Sequence, residues 1–216
     1  MKRTVIENQR GSAKTGCLIA AGVVLLIALI FGGIFMGRYN GLVTHQERTE
    51  AAWSEIDNQY KRRYDLVPQL VATVKGAAEF EQSTLQAVTE ARASVGRMQL
   101  PAGVPTDAAQ LQAYTQAQQG LGAALGRLFA VSERYPDLKA TQNFLTLQDQ
   151  LEGTENRITV ARRDYIDAVR IYNTYRRRFP TNFVSGMFGF EAVPQLAGDP
   201  VERETPKVEF DFGKNE

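Results

Sequence analysis

The sequence predicts an all-α membrane protein in which an N-terminal transmembrane helix continues into an elongated antiparallel four-helix bundle. Three observations carry this. The 20 residues from Cys17 to Met36 contain no charged side chain, enough at about 1.5 Å per residue to cross a hydrocarbon core of about 30 Å. Beyond them, apolar residues recur at alternating three- and four-residue steps, the period of helices packed on helices. Strand-like alternation of useful length is missing before residue 180.

Residues 1–16 form a short tail with Lys2, Arg3, Arg10 and Lys14. The apolar run 17–36 is longer than a signal-peptide core of roughly 7–15 residues and ends in Met36-Gly37-Arg38-Tyr39 instead of a small-x-small cleavage site, so it reads as a retained anchor. Cys17 stands at the start of the run and not after it, the wrong order for a lipid-attachment site. Within the span Ala28, Gly32, Gly33 and Gly37 place small residues at four-residue spacing, which lets two membrane helices approach and suggests a homo-oligomer. Lys and Arg counted beside the span place the N-terminus in the cytoplasm, by a small margin, because Lys61, Arg62 and Arg63 lie just past the counting distance.

The bundle is expected over 37–180. After the span Leu42, Thr49, Trp53, Ile56, Tyr60 and Tyr64 share a helix face, with Trp53 buried against the fourth helix. Pro68 disfavours helix at Val67, so Asp65-Leu66-Val67 is expected to turn and Pro68 to open a second helix. That helix carries Val71, Val74, Ala78, Leu85, Val88, Arg92 and Val95, and Pro101, Gly103 and Pro105 end it. Thr106-Asp107 can cap a third, with the stripe Leu111, Tyr114, Gln118, Leu121, Leu125, Leu128, Ser132, Tyr135. Pro136 closes it. A fourth helix, from near Asp137 to Arg178, repeats Phe144, Leu147, Leu151, Thr154, Ile158, Ala161, Tyr165, Ala168, Tyr172, Tyr175. Residues 181–216 read as a tail, first aromatic and glycine-rich, then acidic and partly disordered from about 195.

Catalytic chemistry finds little to work with. His45 is the only histidine and Cys17 the only cysteine; one lies beyond the span and the other in it, so no Cys-His or Ser-His-Asp arrangement is expected. A di-iron bundle site needs two Glu-x-x-His motifs, and neither a metal nor another cofactor is expected. Gly120, Gly122 and Gly126 lie in a helical pattern after no strand, which reads as helix packing and not as a dinucleotide loop. The acids Glu152 with Glu155 and Asp164 with Asp167 have the arginine neighbours Arg157, Arg162 and Arg163, the pattern of solvated pairs. With 25 Lys and Arg against 24 Asp and Glu, no excess charge points to nucleic acid.

Local charge is more informative. Residues 156–178 hold seven arginines against Asp164 and Asp167, whereas 137–155 are acidic, a gradient the helix dipole favours. The dipole does not account for the triple Arg176, Arg177, Arg178. If the helices alternate direction and the long fourth one overhangs at the membrane end, these arginines return to the bilayer with Phe183, Met187, Phe188 and Phe190, a combination suited to a headgroup interface. Capping of the bundle by the same rings, or a partner site, are the other uses of this end.

Several stretches together resemble the LemA family of bacterial membrane proteins: Tyr39-Asn-Gly-Leu-Val43, Ala52-Trp-Ser-Glu-Ile-Asp57, Lys61 through Val71 with Val74-Lys75, and Thr89-Glu-Ala-Arg92. Further matches are Tyr135-Pro-Asp-Leu-Lys139, Asn143-Phe-Leu145, Thr154-Glu-Asn-Arg-Ile158, Ala161-Arg162, Tyr172-Asn173, Phe188-Gly-Phe190 and Pro206-Lys-Val208. The resemblance implies a membrane-anchored helical bundle in the bacterial inner membrane, with no catalytic residues. It places the bundle on the cytoplasmic side, opposite to the charge count, so the topology is open. The expected function is a non-catalytic scaffold or adaptor that acts through the lipid bilayer and other membrane or envelope proteins. The alternative is an envelope signalling or stress component, or a ligand-binding protein.

Overall fold

A computed structural model describes residues 9–76, 80–98 and 103–196. Its elements are α1 (Gln9–Lys75), α2 (Gln82–Arg97), α3 (Ala108–Ser132), the single turn α4 (Pro136–Lys139), α5 (Gln142–Arg177) and α6 (Thr181–Phe188), with no strand among the described residues. The fold is all-α.

α1 runs for 67 residues with Pro68 inside it, which corrects the turn expected at 65–67. The reason lies in the stripe. Thr49, Trp53, Ile56, Tyr60, Arg63, Val67, Leu70 and Val74 are all buried and alternate by four and three without a slip, while Pro68 is exposed. The proline costs one backbone bond on the outer face and leaves the packing face in register. The chain reverses later, after Gly76, whose N–H donates to Thr73 O at 3.3 Å. Ala78 and Pro101, assigned above to the second helix and its end, lie outside the described residues.

The start of α3 is as expected: Asp107 accepts from the N–H of Ala109 at 2.8 Å and of Gln110 at 3.4 Å, satisfying donors a helix start leaves open. The long last helix starts at Gln142 and not near Asp137, because Thr141 Oγ1 and Thr141 N–H both turn back to Leu138 O and close α4 first. Two boundaries of the expected organisation also shift. Residues 9–16, read as tail, already belong to α1, and 181–188, also read as tail, form α6. Leu196 is buried, and the acidic stretch 197–216 lies outside the described residues.

The chain forms two compact units, Met1–Ala52 with Asp167–Ala192 and Trp53–Ile166 with Val193–Glu216. In the second, Leu66, Val67, Leu70, Val74, Leu85, Val88, Val95, Leu121, Leu125, Leu128, Leu138, Phe144, Leu147 and Leu151 make one apolar cluster. Trp53 is buried with its ring 5.4 Å from that of Tyr165 on α5 and 6.3 Å from Tyr114 on α3. In the first unit the buried set is Leu42, Thr49, Val169, Tyr172, Thr181, Val184 and Ser185.

Candidate membrane-proximal site

The first unit gathers the part of α1 that leaves the apolar run, the end of α5, and α6. Gly41 lies against Tyr175: a Cβ at Gly41 would overlap the Tyr175 hydroxyl and lie 2.7 Å from its Cζ. A side chain at 41 would require the ring to shift. His45 meets the same ring at 4.8 Å, and burial, then Arg48, lowers the pKa of its imidazole and favours the neutral form. In the second unit the same two helices run antiparallel, Trp53 meeting Tyr165 and Arg63 meeting Glu155, and here Arg176 of the last turn bonds to Phe190 O, whose ring touches Tyr39.

α6 follows at once, after a cis Phe179-Pro180 bond. It buries Thr181, Val184 and Ser185 and leaves Phe183 60%, Met187 69% and Phe188 55% exposed, beside Phe179 at 79%. Gly189 ends it with φ +74, a left-handed conformation suited to glycine, which lets the Phe190 N–H reach Ser185 O at 3.0 Å. The Tyr39 ring packs edge-on against Phe188 at 4.9 Å and Phe190 at 5.7 Å.

The three arginines separate here. Arg176 turns inward and donates from Nη1 to Phe190 O at 3.2 Å, while its buried Nε has no partner in the described structure. Arg177 is exposed and donates from Nε to Asn173 O; Arg178 is exposed. Tyr172, its pKa raised by burial, donates its hydroxyl to Glu191 O at 2.9 Å. Phe190 is half-buried, so of the expected surface set Arg177, Arg178, Phe183 and Phe188 face outward. Met187, read from the sequence with this group, faces outward too, and Phe179 joins them; its spacing of four from Phe183 was the available signal. Ala28, Gly32, Gly33 and Gly37 are exposed on α1, and the three glycines have nothing within 4 Å of a built Cβ.

Among the described residues the second unit buries a charge, that of Arg63, which the sequence reading only grouped with Lys61 and Arg62 past the counting distance of the span. Arg63 is 2% exposed; Nη1 donates to Glu155 Oε2 at 2.5 Å, and Nη2 to Gln118 O at 2.8 Å and Oε1 at 2.7 Å. Gly122 lies beside this guanidinium, where a Cβ would make ordinary contact at 3.4 Å from Nη1, and Gly120 and Gly126 have open space, so the close helix packing expected of these glycines is not required at any of the three. An open groove of about 400 Å³ lies along Glu55, Asn156, Arg157, Val160, Ala161 and Asp164. Among the described residues no group of three His, Cys, Asp or Glu is arranged to hold a metal.

The LemA family model matches residues 52–210. Magnetosome protein MamQ 2 of Paramagnetospirillum magneticum is 28% identical over 208 residues, covering 88% of this chain and 75% of that protein. Magnetosome protein MamQ of Magnetospirillum gryphiswaldense is 25% identical, with 89% and 76% covered. Protein LemA of Metamycoplasma hominis is 26% identical over 174 residues, with 81% and 75% covered.

Proposed function

We propose that this chain, which belongs to the LemA family, is a non-catalytic scaffold or adaptor anchored in the bacterial inner membrane by the first part of α1. The observation that carries the reading is the composition of that single helix. Its segment from Leu18 onward is apolar enough to cross a bilayer and none of that window is buried within the protein, yet the same helix goes on to supply the buried stripe Leu42 to Val74. An apolar surface of that extent, left uncovered, matches lipid as its solvent. The relatives carry different names while matching most of each chain, which favours a role carried by the helical body as a whole. A scaffold of this kind recruits other membrane or envelope proteins, and Ala28, Gly32, Gly33 and Gly37 offer a face for self-association.

The test is photo-crosslinking of the full chain in native membranes from a probe at Val160, which is exposed on α5, followed by extraction in mild detergent. The same envelope proteins should be captured in repeated preparations; a chain that never crosslinks to anything overturns the scaffold reading. A homodimer lost in Gly33→Leu would assign self-association to the small-residue face. Reporters after Ser12 and Glu216 decide the side on which the helices lie.

A further inference from the structure

We propose that α6 and the rings beside it form a second membrane contact lying in the plane of the bilayer. Phe179, Phe183 and Met187 enter the acyl-chain boundary, while Arg177 and Arg178 bind the phosphates of anionic lipid headgroups. The proposal rests on the anchor reading above.

The level of these residues follows from contacts within the first unit. Tyr39 is three residues past Met36, a rise of about 4.5 Å beyond the end of the apolar run, and its ring touches Phe188 and Phe190. Tyr175 packs on Gly41 and His45. The next residue, Arg176, bonds to the main-chain oxygen of Phe190, whose ring touches Tyr39, so the end of α5 lies near the level of Tyr39. The end of α5 and the Phe188 end of α6 thus lie within about one helical turn, roughly 5 Å, of the end of the apolar run.

The chemistry of the outward face fits that depth. Phe179 and Phe183 stack edge-to-face at 5.9 Å, and Met187 follows Phe183 by one turn. With Phe188 they make four large apolar side chains, each more than half exposed, on a segment whose other face is buried through Val184 and Ser185. Such a patch is costly in water and is matched by the headgroup boundary, where in-plane amphipathic helices place aromatic and basic residues together. Charge is complementary too. From Arg176 to Phe190 there is no acidic residue, and with Arg176 engaged at the Phe190 carbonyl, Arg177 and Arg178 present the outward positive charge. A protein surface would also cover the rings, but it would not account for their level beside the span.

The test uses the full chain carrying Cys17→Ala, with a nitroxide placed at Phe183→Cys, Met187→Cys or, as an aqueous reference, Asp149→Cys. Each variant is checked for native helix content and reconstituted in vesicles of phosphatidylcholine alone or mixed with phosphatidylglycerol. Collision with oxygen, which partitions into lipid, is compared with collision with an aqueous nickel chelate. In the anionic vesicles the labels at 183 and 187 should favour oxygen several-fold over the label at 149. The preference should shrink in neutral vesicles and in the Arg177→Gln, Arg178→Gln double variant. Labels at 183 and 187 as open to nickel as that at 149 overturn the contact. Labels shielded from both reagents overturn it in favour of a second copy covering the face. Equal depth in both vesicle types overturns the headgroup role of the arginines. Flotation separates this from the anchor: a chain that floats yet keeps aqueous labels sinks the present inference only, whereas a chain that stays at the bottom sinks the anchor itself.

Discussion

Arg92 donates from Nε to the main-chain oxygen of Tyr64 at 3.2 Å, and its guanidinium carbon lies 3.8 Å from the centre of the Tyr64 ring. That oxygen is the one whose helical donor would be the N–H of residue 68, which proline lacks. An arginine of α2 thereby satisfies the carbonyl that Pro68 leaves open in α1 and stacks on the ring of the same residue. Arg92→Ala should cost about 2–3 kcal/mol, a charged hydrogen bond plus a cation–π contact. In a Pro68→Ala background, where residue 68 can serve the oxygen itself, the cost should fall by about 1 kcal/mol. Denaturant titrations of the four full-length chains in detergent read this cycle, and an unchanged cost would sever Arg92 from the proline.

Trp53 packs between Tyr165 and Tyr114 and is 5% exposed. Trp53→Ala should cost about 3–5 kcal/mol, as large-to-small changes in cores do. A loss below about 1 kcal/mol in the same titration would be a surface value and would contradict this packing.

The bonds of Arg63 differ in setting. Glu155 is half exposed, so solvent screens its side of the pair, whereas Gln118 is buried. Glu155→Gln should therefore cost about 1 kcal/mol. Arg63→Ala should cost about 3–5 kcal/mol, because it opens a cavity and strands the Gln118 side chain. If the two costs are equal, the ion pair dominates and the Gln118 bonds are secondary.

Burial first, then Asp57, pushes the Tyr114 hydroxyl up to about 12, and burial also raises that of Tyr165. In the unfolded chain a tyrosine loses its proton near pH 10. Below that pH both states are protonated and stability is unaffected; between about pH 10 and 12 only the unfolded state releases the Tyr114 proton, so stability falls by about 1.4 kcal/mol per unit. Tyrosinate absorbance and loss of helix should rise together in an alkaline titration, and Tyr114→Phe should flatten the decline. A decline of the same slope in Tyr114→Phe would place its origin elsewhere.

Most of the helical architecture was legible because packing period survives in sequence: the stripes on α3 and α5 are buried nearly residue for residue, from Leu111 to Ser132 and from Phe144 to Tyr172. The error at Pro68 came from weighing a local preference above that period. Continued past Tyr60 by threes and fours, the stripe falls on Arg63, Val67, Leu70 and Val74, which would have revealed both the unbroken helix and the buried arginine. The separate fates of Arg176, Arg177 and Arg178 had no such signal. Arg176 turns inward because Gly189 folds the chain back and presents the Phe190 carbonyl to it, a tertiary event that no local pattern records.

Gly189 supplies the last prediction. Its φ of +74 ends α6, and three hydrogen bonds depend on the chain that follows: Phe190 N–H to Ser185 O, Arg176 Nη1 to Phe190 O, and the Tyr172 hydroxyl to Glu191 O. A Cβ at Gly189 would meet nothing within 4 Å, so size is no obstacle and conformation alone should govern substitution. Alanine in the left-handed region costs about 1–2 kcal/mol, and asparagine, which bonds locally there, costs less although it is larger. Stability measured by denaturation should therefore follow the order Gly, Asn, Ala. Arg176→Gln, which weakens the hold on the Phe190 carbonyl, should narrow the gap between Gly and Ala, because the returning chain then has less to lose. An alanine variant at least as stable as the asparagine variant would show that the turn relaxes without the left-handed residue, and the docking of Phe190 would no longer depend on Gly189.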